Sequence, residues 1–178
     1  KDKRIRVLSQ CNLGKACALR AGFHTASHEI IVTLDADTIF QPDTINQLLH
    51  PLVDEKIGAV SGHVKVGNQQ TLVARFQDLE YTCGFNLDRR AYQQLDCITV
   101  VPGAVSSWRR SAVRAAGGIS SDTLAEDTDL TLCLHRAGYR IAYTPEAVAW
   151  TEAPENFPAL AKQRFRWAFG TLQCLWKH

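Results

Sequence analysis

The alternation of apolar and polar positions divides the chain into short strands and amphipathic helices. Strands are predicted where apolar side chains run together or recur at every second position: 5–8, 30–34, 57–66, 97–101, 139–143 and 147–151. Helical spacing predicts helices over 15–23, from Pro42, within 72–95, over 111–116, from the acidic cluster at 125–129 to Gly138, and over 157–176. The order predicts an α/β fold, and the uninterrupted apolar run 30–34 predicts a strand buried on both faces of a parallel, helix-covered sheet.

Two carboxylates, Asp35 and Asp37, follow the apolar run 30–34 directly. In open α/β sheets, ligands bind just beyond the carboxyl ends of strands. Two carboxylates separated by one residue suit a hard divalent cation that also binds phosphate oxygens. For an isolated Asp-x-Asp, a turn or a helix cap is the commoner interpretation. The other polar clusters of the chain therefore decide between the two.

Two loops offer further ligand contacts. Lys15 follows Gly14 at the predicted start of the first helix, where free backbone N–H groups favour an anion. Gly103 follows the predicted strand 97–101, and a glycine there permits close approach of the backbone to a ligand. Each signal is weak alone, because a Gly-Lys pair at a helix start is most often only surface.

A second acidic cluster, Glu126, Asp127 and Asp129, begins a predicted helix. Acidic residues in a first turn complement the helix dipole, which explains one or two of them. Three carboxylates within four residues repel one another, so at least one is expected to serve chemistry. Asp127 could accept a proton from a substrate hydroxyl.

The last predicted helix has two different sides. At about 100° per residue, one side carries Gln163, Arg166, Trp167 and Gly170, and a stripe well away from it carries Phe165, Phe169, Leu172 and Trp176. The first side offers a guanidinium for phosphate and an aromatic ring for a sugar, with Gly170 leaving room. The apolar stripe is either core or a membrane-facing surface.

Composition narrows the class of protein. A formal net charge of +2 gives no global basic field for nucleic acid. The six cysteines form no C-x-x-C pair, which predicts reduced thiols in a cytosolic compartment. No apolar run reaches the roughly 18 to 20 residues that span a bilayer, so the chain itself is expected to be soluble. The lack of Met and an opening that enters a strand at once suggest a piece of a longer protein.

Four motifs, in this order, resemble the membrane-bound, processive family-2 glycosyltransferases: Gly14-Lys15-Ala16, Asp35-Ala36-Asp37, Ala125-Glu126-Asp127-Thr128-Asp129 and Gln163-Arg164-Phe165-Arg166-Trp167. That family includes cellulose, chitin, hyaluronan and poly-N-acetylglucosamine synthases. The similarity covers almost the whole chain. Three connecting stretches look closest to the poly-β-1,6-N-acetylglucosamine synthase branch: Val60-Ser61-Gly62, Val101-Pro102-Gly103-Ala104 and Trp150-Thr151-Glu152-Ala153-Pro154-Glu155.

The resemblance implies a fold and a reaction. The fold is the glycosyltransferase A-type, Rossmann-like mixed sheet flanked by helices, with the amino-terminal uracil-binding strands missing. The reaction is an inverting transfer of a sugar, which the resemblance implies is N-acetylglucosamine, from a UDP-sugar to the hydroxyl end of a growing polysaccharide. The roles carried over by position are nucleotide-sugar binding by Lys15, Asp35, Asp37, Gln163 and Arg166, with Mg²⁺ or Mn²⁺ on Asp35 and Asp37, catalysis by Asp127, and acceptor binding by Gly103, Glu126 and Trp167.

The resemblance also implies an organisation. Residues 1–178 would be one catalytic domain fragment, with a nucleotide and metal part (1–68), an acceptor-side part (69–156) and a helix leading toward the membrane (157–178). The larger protein would lie at the cytoplasmic face of the bacterial inner membrane through transmembrane segments outside this fragment, and the isolated fragment would be poorly active. Two alternatives stay open: a non-processive UDP-sugar transferase of the same fold, and a truncated, catalytically idle nucleotide-binding module.

Overall fold

The computed structural model describes residue 2 and residues 4–178. Its helices are α1 (Lys15–Thr25), α2 (Thr44–Leu49), α3 (Leu72–Thr82), α4 (Asp88–Gln94), α5 (Arg110–Ala115), α6 (Glu126–Arg136) and α7 (Phe157–Lys177). Its strands are β1 (Ile30–Thr33), β2 (Ile39–Phe40), β3 (Ile57–Val66), β4 (Ser106–Arg109) and β5 (Arg140–Thr151). A 3₁₀ turn spans His50–Val53, and a π-helical segment spans Cys83–Leu87 between α3 and α4.

The five strands form one mixed sheet in the order β1-β4-β3-β5-β2. Strands β3 and β5 are parallel, whereas the other paired strands are antiparallel. The central strand β3 is buried along its whole length except at Lys65. Val60 and Val64 pack into one core with residues of α2 and α3, and Ala59 packs into a second core with residues of α5 and α6. The predicted α/β class, a mixed sheet flanked by helices, is confirmed.

The apolar run 30–34 does form a strand, but its predicted environment is wrong. Strand β1 pairs antiparallel with β4, from Ile30 opposite Arg109 to Thr33 opposite Ser106. It lies at one edge of the sheet among the described residues, and all four of its side chains are half-buried. An uninterrupted apolar run records burial but contains no information on the direction of the neighbouring strand.

Two predicted strands are absent from the described part of the chain. Residues 5–8 form no strand, and the side chains of Ile5 and Val7 are exposed. Residues 97–101 also form no strand, and two of their backbone groups bond to side chains of α6: the Val101 N–H donates to Thr131 Oγ1 at 3.0 Å, and the Ile98 carbonyl lies 2.8 Å from His135 Nε2. The next strand is β4, whose Ser-Ser-Trp-Arg sequence carries no apolar pattern.

The carboxyl-terminal third follows the prediction closely. The two strands predicted over 139–143 and 147–151 are one strand, β5, whose register against β3 shifts between Gly62 and His63. Helix α7 extends over 21 residues, as its spacing predicts, and Asn156 caps its start by accepting a hydrogen bond from the Ala159 N–H at 3.0 Å. None of the described helices combines the length and the apolar character needed to cross a bilayer.

Candidate active site

One cavity of about 300 Å³ lies beyond the end of β1, between the loop at 102–104, the first turn of α6 and the middle of α7. All nine residues singled out from the sequence line it: Lys15, Asp35, Asp37, Gly103, Glu126, Asp127, Gln163, Arg166 and Trp167. They come from five separate segments of the chain, so the fold rather than local sequence brings them together. Their individual roles remain predictions.

Lys15 links two of the acidic motifs across the cavity. Its ammonium Nζ lies 2.6 Å from Asp35 Oδ1 and 3.8 Å from Glu126 Oε1. Gly103 is packed against this ammonium, because a Cβ at that position would collide with Lys15 Nζ and come within 3.2 Å of Asp35 Oδ1. The absence of a side chain at Gly103 thus makes space for a protein cation, at a site where the sequence suggested room for a ligand.

Asp37 sits on the other side of the turn that follows β1. The Thr38 N–H donates to the Asp35 carbonyl at 3.1 Å, so the segment is a turn as well as a candidate ligand site. The Asp37 carboxylate accepts hydrogen bonds of 3.3 Å from the hydroxyls of Thr38 and Thr151. These leave further oxygen lone pairs of both carboxylates available, and such hard oxygen donors suit Mg²⁺ or Mn²⁺.

The first turn of α6 places two carboxylates in the cavity. Asp127 Oδ1 accepts a hydrogen bond of 2.8 Å from the Thr128 N–H. Burial raises the pKa of Asp127, while the Thr128 N–H and the charge of Lys15 oppose that rise. Burial also raises the pKa of Glu126, whose side chain is only 10% exposed, and the neighbouring Asp127 charge adds to the effect. Carboxylates with raised pKa values in a cavity have the proton affinity that general bases need.

The third carboxylate of the cluster, Asp129, is not part of the cavity. Its side chain is 2% exposed and accepts hydrogen bonds from Lys177 Nζ at 3.0 Å and from His178 Nε2 at 2.7 Å. Both partners lie at the end of α7, so their bonds to Asp129 stabilise the packing of that helix against α6. This role needs no ligand.

Asp129, Cys133 and His178 also bring three possible metal-ligand atoms within 4.8 Å of one another. Arg136 Nη1 lies 3.0 Å from His178 Nδ1, and because a guanidinium can only donate, Nδ1 must be the accepting nitrogen. The proton of a neutral ring is then on Nε2, which donates to Asp129. Both ring nitrogens and the carboxylate are therefore already satisfied, and the group is an ion-paired cluster instead of a metal centre.

Helix α7 turns its Gln163, Arg166 and Trp167 side chains toward the cavity. Among the described residues, the buried Gln163 Oε1 has no hydrogen-bond partner, which leaves an acceptor available to a ligand. The guanidinium of Arg164 stacks on Trp167, 4.5 Å from the ring centroid. Gly170, by contrast, abuts the backbone of Ala125, where a Cβ would come within 2.8 Å of the amide nitrogen. It makes room for the loop before α6, whereas the sequence suggested room for a sugar.

A sequence profile described as "Glycosyltransferase like family 2" matches residues 1–170, nearly the whole chain. The chain belongs to glycosyltransferase family 2. This family-2 chain is 35% identical over 167 residues to the poly-β-1,6-N-acetyl-D-glucosamine synthase of Staphylococcus aureus (strain COL), an alignment that covers 93% of the chain and 40% of that protein. It is 32% identical over 162 residues to the synthase of the same name in Staphylococcus epidermidis, with 90% and 39% covered. The resemblance stated from the motifs is confirmed, and the chain spans about 40% of the length of these relatives.

Solved structures support the same fold. The mannosyltransferase PcManGT of Pyrobaculum calidifontis, in complex with GDP-Man and Mn²⁺, matches the family-2 chain with a TM-score of 0.75 and 26% identity, over 93% of this chain and 44% of that one. Glucosyl-3-phosphoglycerate synthase of Mycobacterium tuberculosis, with Mn²⁺, UDP-glucose and phosphoglyceric acid, matches with a TM-score of 0.57 and 22% identity, over 93% and 57%. The second match is informative about fold alone. The predicted glycosyltransferase A-type fold is confirmed.

The family-2 cavity also contains aromatic residues that the motifs do not include. Tyr81 and Phe85 line it, and their rings meet edge to face with centroids 4.6 Å apart. Phe85 lies in the π-helical segment Cys83–Leu87, a type of segment that is frequent at functional sites. The amphipathic pattern of 72–95 predicts helix but contains no signal for the inserted residue of a π turn, so sequence reasoning missed this wall.

A buried arginine packs against one of these aromatic rings. Arg89 is 2% exposed, its Nη1 donates to Ser61 Oγ, and its guanidinium lies 4.8 Å from the centroid of Phe85. Its Nη2 has no hydrogen-bond partner in the part of the chain that the structure describes. Burial lowers the pKa of Arg89 to about 10, so the side chain stays charged at neutral pH. Arg89 therefore packs against Phe85 without itself lining the cavity.

The apolar stripe of α7 does not join the core. Phe165, Phe169, Leu172 and Trp176 are all exposed, and Trp176 is 95% exposed. Phe165 and Phe169 stack on one another with ring centroids 5.7 Å apart. Of the two sequence-based alternatives for this stripe, core packing is wrong for the described residues.

Proposed function

We propose that this family-2 chain is the catalytic region of an inverting, processive β-glycosyltransferase. It would transfer N-acetylglucosamine from UDP-N-acetylglucosamine to the hydroxyl end of a growing poly-β-1,6-N-acetylglucosamine. The observation that carries the proposal is the shared cavity, in which a candidate base, Asp127, faces the Asp35 and Asp37 pair and Arg166. The identity to synthases of that polymer supports the choice of sugar.

The donor side of the proposed site combines acidic and basic side chains. Asp35 and Asp37 have the oxygen donors to hold Mg²⁺ or Mn²⁺, which when bound would neutralise charge on the diphosphate. Gln163 and Arg166 would bind the diphosphate leaving group, because a guanidinium matches phosphate oxygens in a bidentate geometry and Gln163 has an unpaired polar atom there. Lys15 would add a second positive charge beside the nucleotide.

The acceptor side centres on Asp127. Its carboxylate would take the proton from the attacking hydroxyl while the diphosphate leaves on the opposite face of the sugar, which gives inversion. Its burial raises its pKa and so increases its proton affinity above that of an exposed aspartate. Trp167, with Gly103 and Glu126, would hold the terminal sugar of the acceptor. Phe85, which lines the same cavity, would add an aromatic contact to a sugar of the polymer.

The division into 1–68, 69–156 and 157–178 remains part of the proposal. Each segment contributes residues to the cavity, which fits a single catalytic domain. We place the full-length protein at the cytoplasmic face of the bacterial membrane. The exposed apolar stripe of α7 supports that location, because such a surface is unusual on a helix that faces only water.

Replacement of Asp127 by Asn in the full-length protein tests the proposal. The amide cannot accept the proton, so polymer formation from UDP-N-acetylglucosamine should fall by about 10²- to 10⁴-fold, while UDP binding measured by calorimetry stays within about twofold because Asp127 has no donor-side role. Asp88→Asn is the matched control, since Asp88 is an exposed carboxylate in the first turn of α4, away from the cavity. Polymer made by Asp127→Asn at the wild-type rate would refute the assigned base.

A further inference from the structure

The Lys15 ammonium occupies a position that other parts of the fold have shaped for it. It lies 2.6 Å from Asp35 Oδ1, 3.8 Å from Glu126 Oε1 and against the bare Cα of Gly103. Helix α1 begins at Lys15, so the backbone that carries this side chain is fixed at the mouth of the cavity. These contacts define a notch that holds the ammonium, while the side chain as a whole is 41% exposed.

The notch matters because of the charge around it. Acidic residues lining the cavity outnumber basic ones, with Asp35, Asp37, Glu126, Asp127 and Glu152 against Lys15 and Arg166. Lys15 is the basic residue in contact with Asp35, one of the two carboxylates proposed to hold the metal. An ammonium and a divalent cation on one carboxylate repel each other strongly at these distances.

We propose that Lys15 is a stand-in cation, which neutralises Asp35 when no donor is bound and opposes binding of the metal alone. The inference rests on the proposed function, because it assumes that Asp35 binds the metal of a nucleotide-sugar. When metal and diphosphate enter together, the two phosphates supply the negative charge that lets both cations remain. Glu126, already within 3.8 Å, offers Lys15 a second anionic partner when Asp35 is taken by the metal.

This arrangement favours entry of the metal with the nucleotide instead of before it. A cavity that bound Mg²⁺ or Mn²⁺ tightly by itself would retain the ion after the nucleoside diphosphate leaves. A lysine competing for Asp35 weakens that retained state while adding a contact to the loaded one. The same side chain thus has opposite effects on two binding steps, which is a signature that a purely structural lysine would lack.

The experiment measures Mn²⁺ binding to the full-length protein by electron paramagnetic resonance of free Mn²⁺, first without nucleotide, and then UDP binding at saturating Mn²⁺. In Lys15→Met, Mn²⁺ alone should bind about three- to tenfold more tightly, because a partly exposed, screened charge has been removed. UDP should bind about tenfold more weakly in the same variant, because a charged contact to phosphate is lost.

Three variants sharpen the result. Lys15→Arg retains the charge and should keep the weak binding of Mn²⁺ alone. Gly103→Ala retains the lysine but fills its notch, so it should tighten Mn²⁺ binding in the same direction as Lys15→Met. Lys56→Met removes an exposed lysine that does not line the cavity, and both affinities should stay as in the wild type.

The same measurements separate a failure of the stand-in role of Lys15 from a failure of the proposed function. If Mn²⁺ alone binds Lys15→Met no more tightly than the wild type, while UDP with Mn²⁺ still binds the wild type, the stand-in role is wrong and the proposed function stands. If the wild type binds neither Mn²⁺ nor UDP, alone or together, both are overturned.

Discussion

The first turn of α6 carries two carboxylates, on opposite sides, that differ in how completely the protein pairs them. On the cavity side, Asp127 receives one backbone hydrogen bond, and burial raises its pKa. On the far side, Asp129 is almost completely buried but is paired with the Lys177 ammonium and the His178 ring. The two residues are two positions apart in sequence, which places them about 160° apart around the helix, on nearly opposite sides.

That difference separates a structural carboxylate from a candidate catalytic one within a single turn. Asp129 has the complete set of partners that a buried carboxylate needs, so it stabilises the contact between α6 and α7. Asp127 lacks such a set, and its ionised form is disfavoured in the fold. Functional sites commonly contain groups whose arrangement reduces stability, whereas structural ion pairs are fully satisfied.

Removal of the far-side carboxylate should have the largest effect on stability. Asp129→Ala leaves Lys177 and His178 without their common partner and opens space under the end of α7. We expect the free energy of unfolding to fall by about 2 to 3 kcal/mol. This loss is smaller than is usual when a buried ion pair is broken, because Lys177 can turn toward solvent. Thermal or denaturant unfolding of the protein measures the change.

The control for this variant is Asp88→Ala, which removes an exposed carboxylate in the first turn of α4. It should change the free energy of unfolding by less than about 0.5 kcal/mol. Equal effects at Asp88 and Asp129 would contradict the contrast between the two sides of α6, because the ion pairs would then contribute nothing.

On the cavity side, removal of the carboxylate charge should raise the free energy of unfolding instead of lowering it. Since burial raises the pKa of Asp127, the folded state binds this proton more tightly than the unfolded state does, and ionisation lowers stability as pH rises above the unfolded value of 3.8. Asp127→Asn cannot ionise. It should therefore be more stable than the wild type at neutral pH, by about 0.5 to 1 kcal/mol.

The pH dependence distinguishes this explanation from a simple packing effect. The stability gained by Asp127→Asn should be smallest below pH 3.8, where the wild-type carboxyl is protonated in both states. It should grow as pH rises and level off above the raised pKa of the folded state. Denaturant titrations of both proteins at a series of pH values measure it, and a difference that shrinks with rising pH would be incompatible with a raised pKa.

The same contrast separates what the sequence could predict from what it could not. Local patterns placed Asp35 after a strand, Asp127 at a helix start and Arg166 on a helix side, but only the resemblance of the motif order to a known family predicted that they share one site. The fold class followed from the same local signals. The sequence did not show which of the three carboxylates is structural, and the partners of Asp129, 48 and 49 residues away, could not be predicted, because no local pattern records a contact of that range.

Strand pairing was the other part that local patterns left undetermined. Strand β4 has little apolar character, yet it lies between β1 and β3 because Trp108 packs into one core and Ser107 donates a hydrogen bond to the Leu48 carbonyl at 2.8 Å. Residues 97–101 have the apolar pattern of a strand but bond to side chains of α6 instead. Tertiary contacts decided both cases against propensity.

Removal of one cation of the far-side cluster should cost less stability than Asp129→Ala. Lys177→Met removes the Lys177 bonds to Asp129 and Asp122, each near 3 Å, but keeps the His178 bond to Asp129. Because Lys177 is 31% exposed, solvent screens its contribution, and we expect a loss of about 0.5 to 1 kcal/mol in the free energy of unfolding. In Asp129→Ala, where the main partner is already absent, the same substitution should cost less. A double-mutant cycle by denaturant unfolding measures that coupling, and strictly additive losses would mean that Lys177 and Asp129 do not stabilise α7 as a pair.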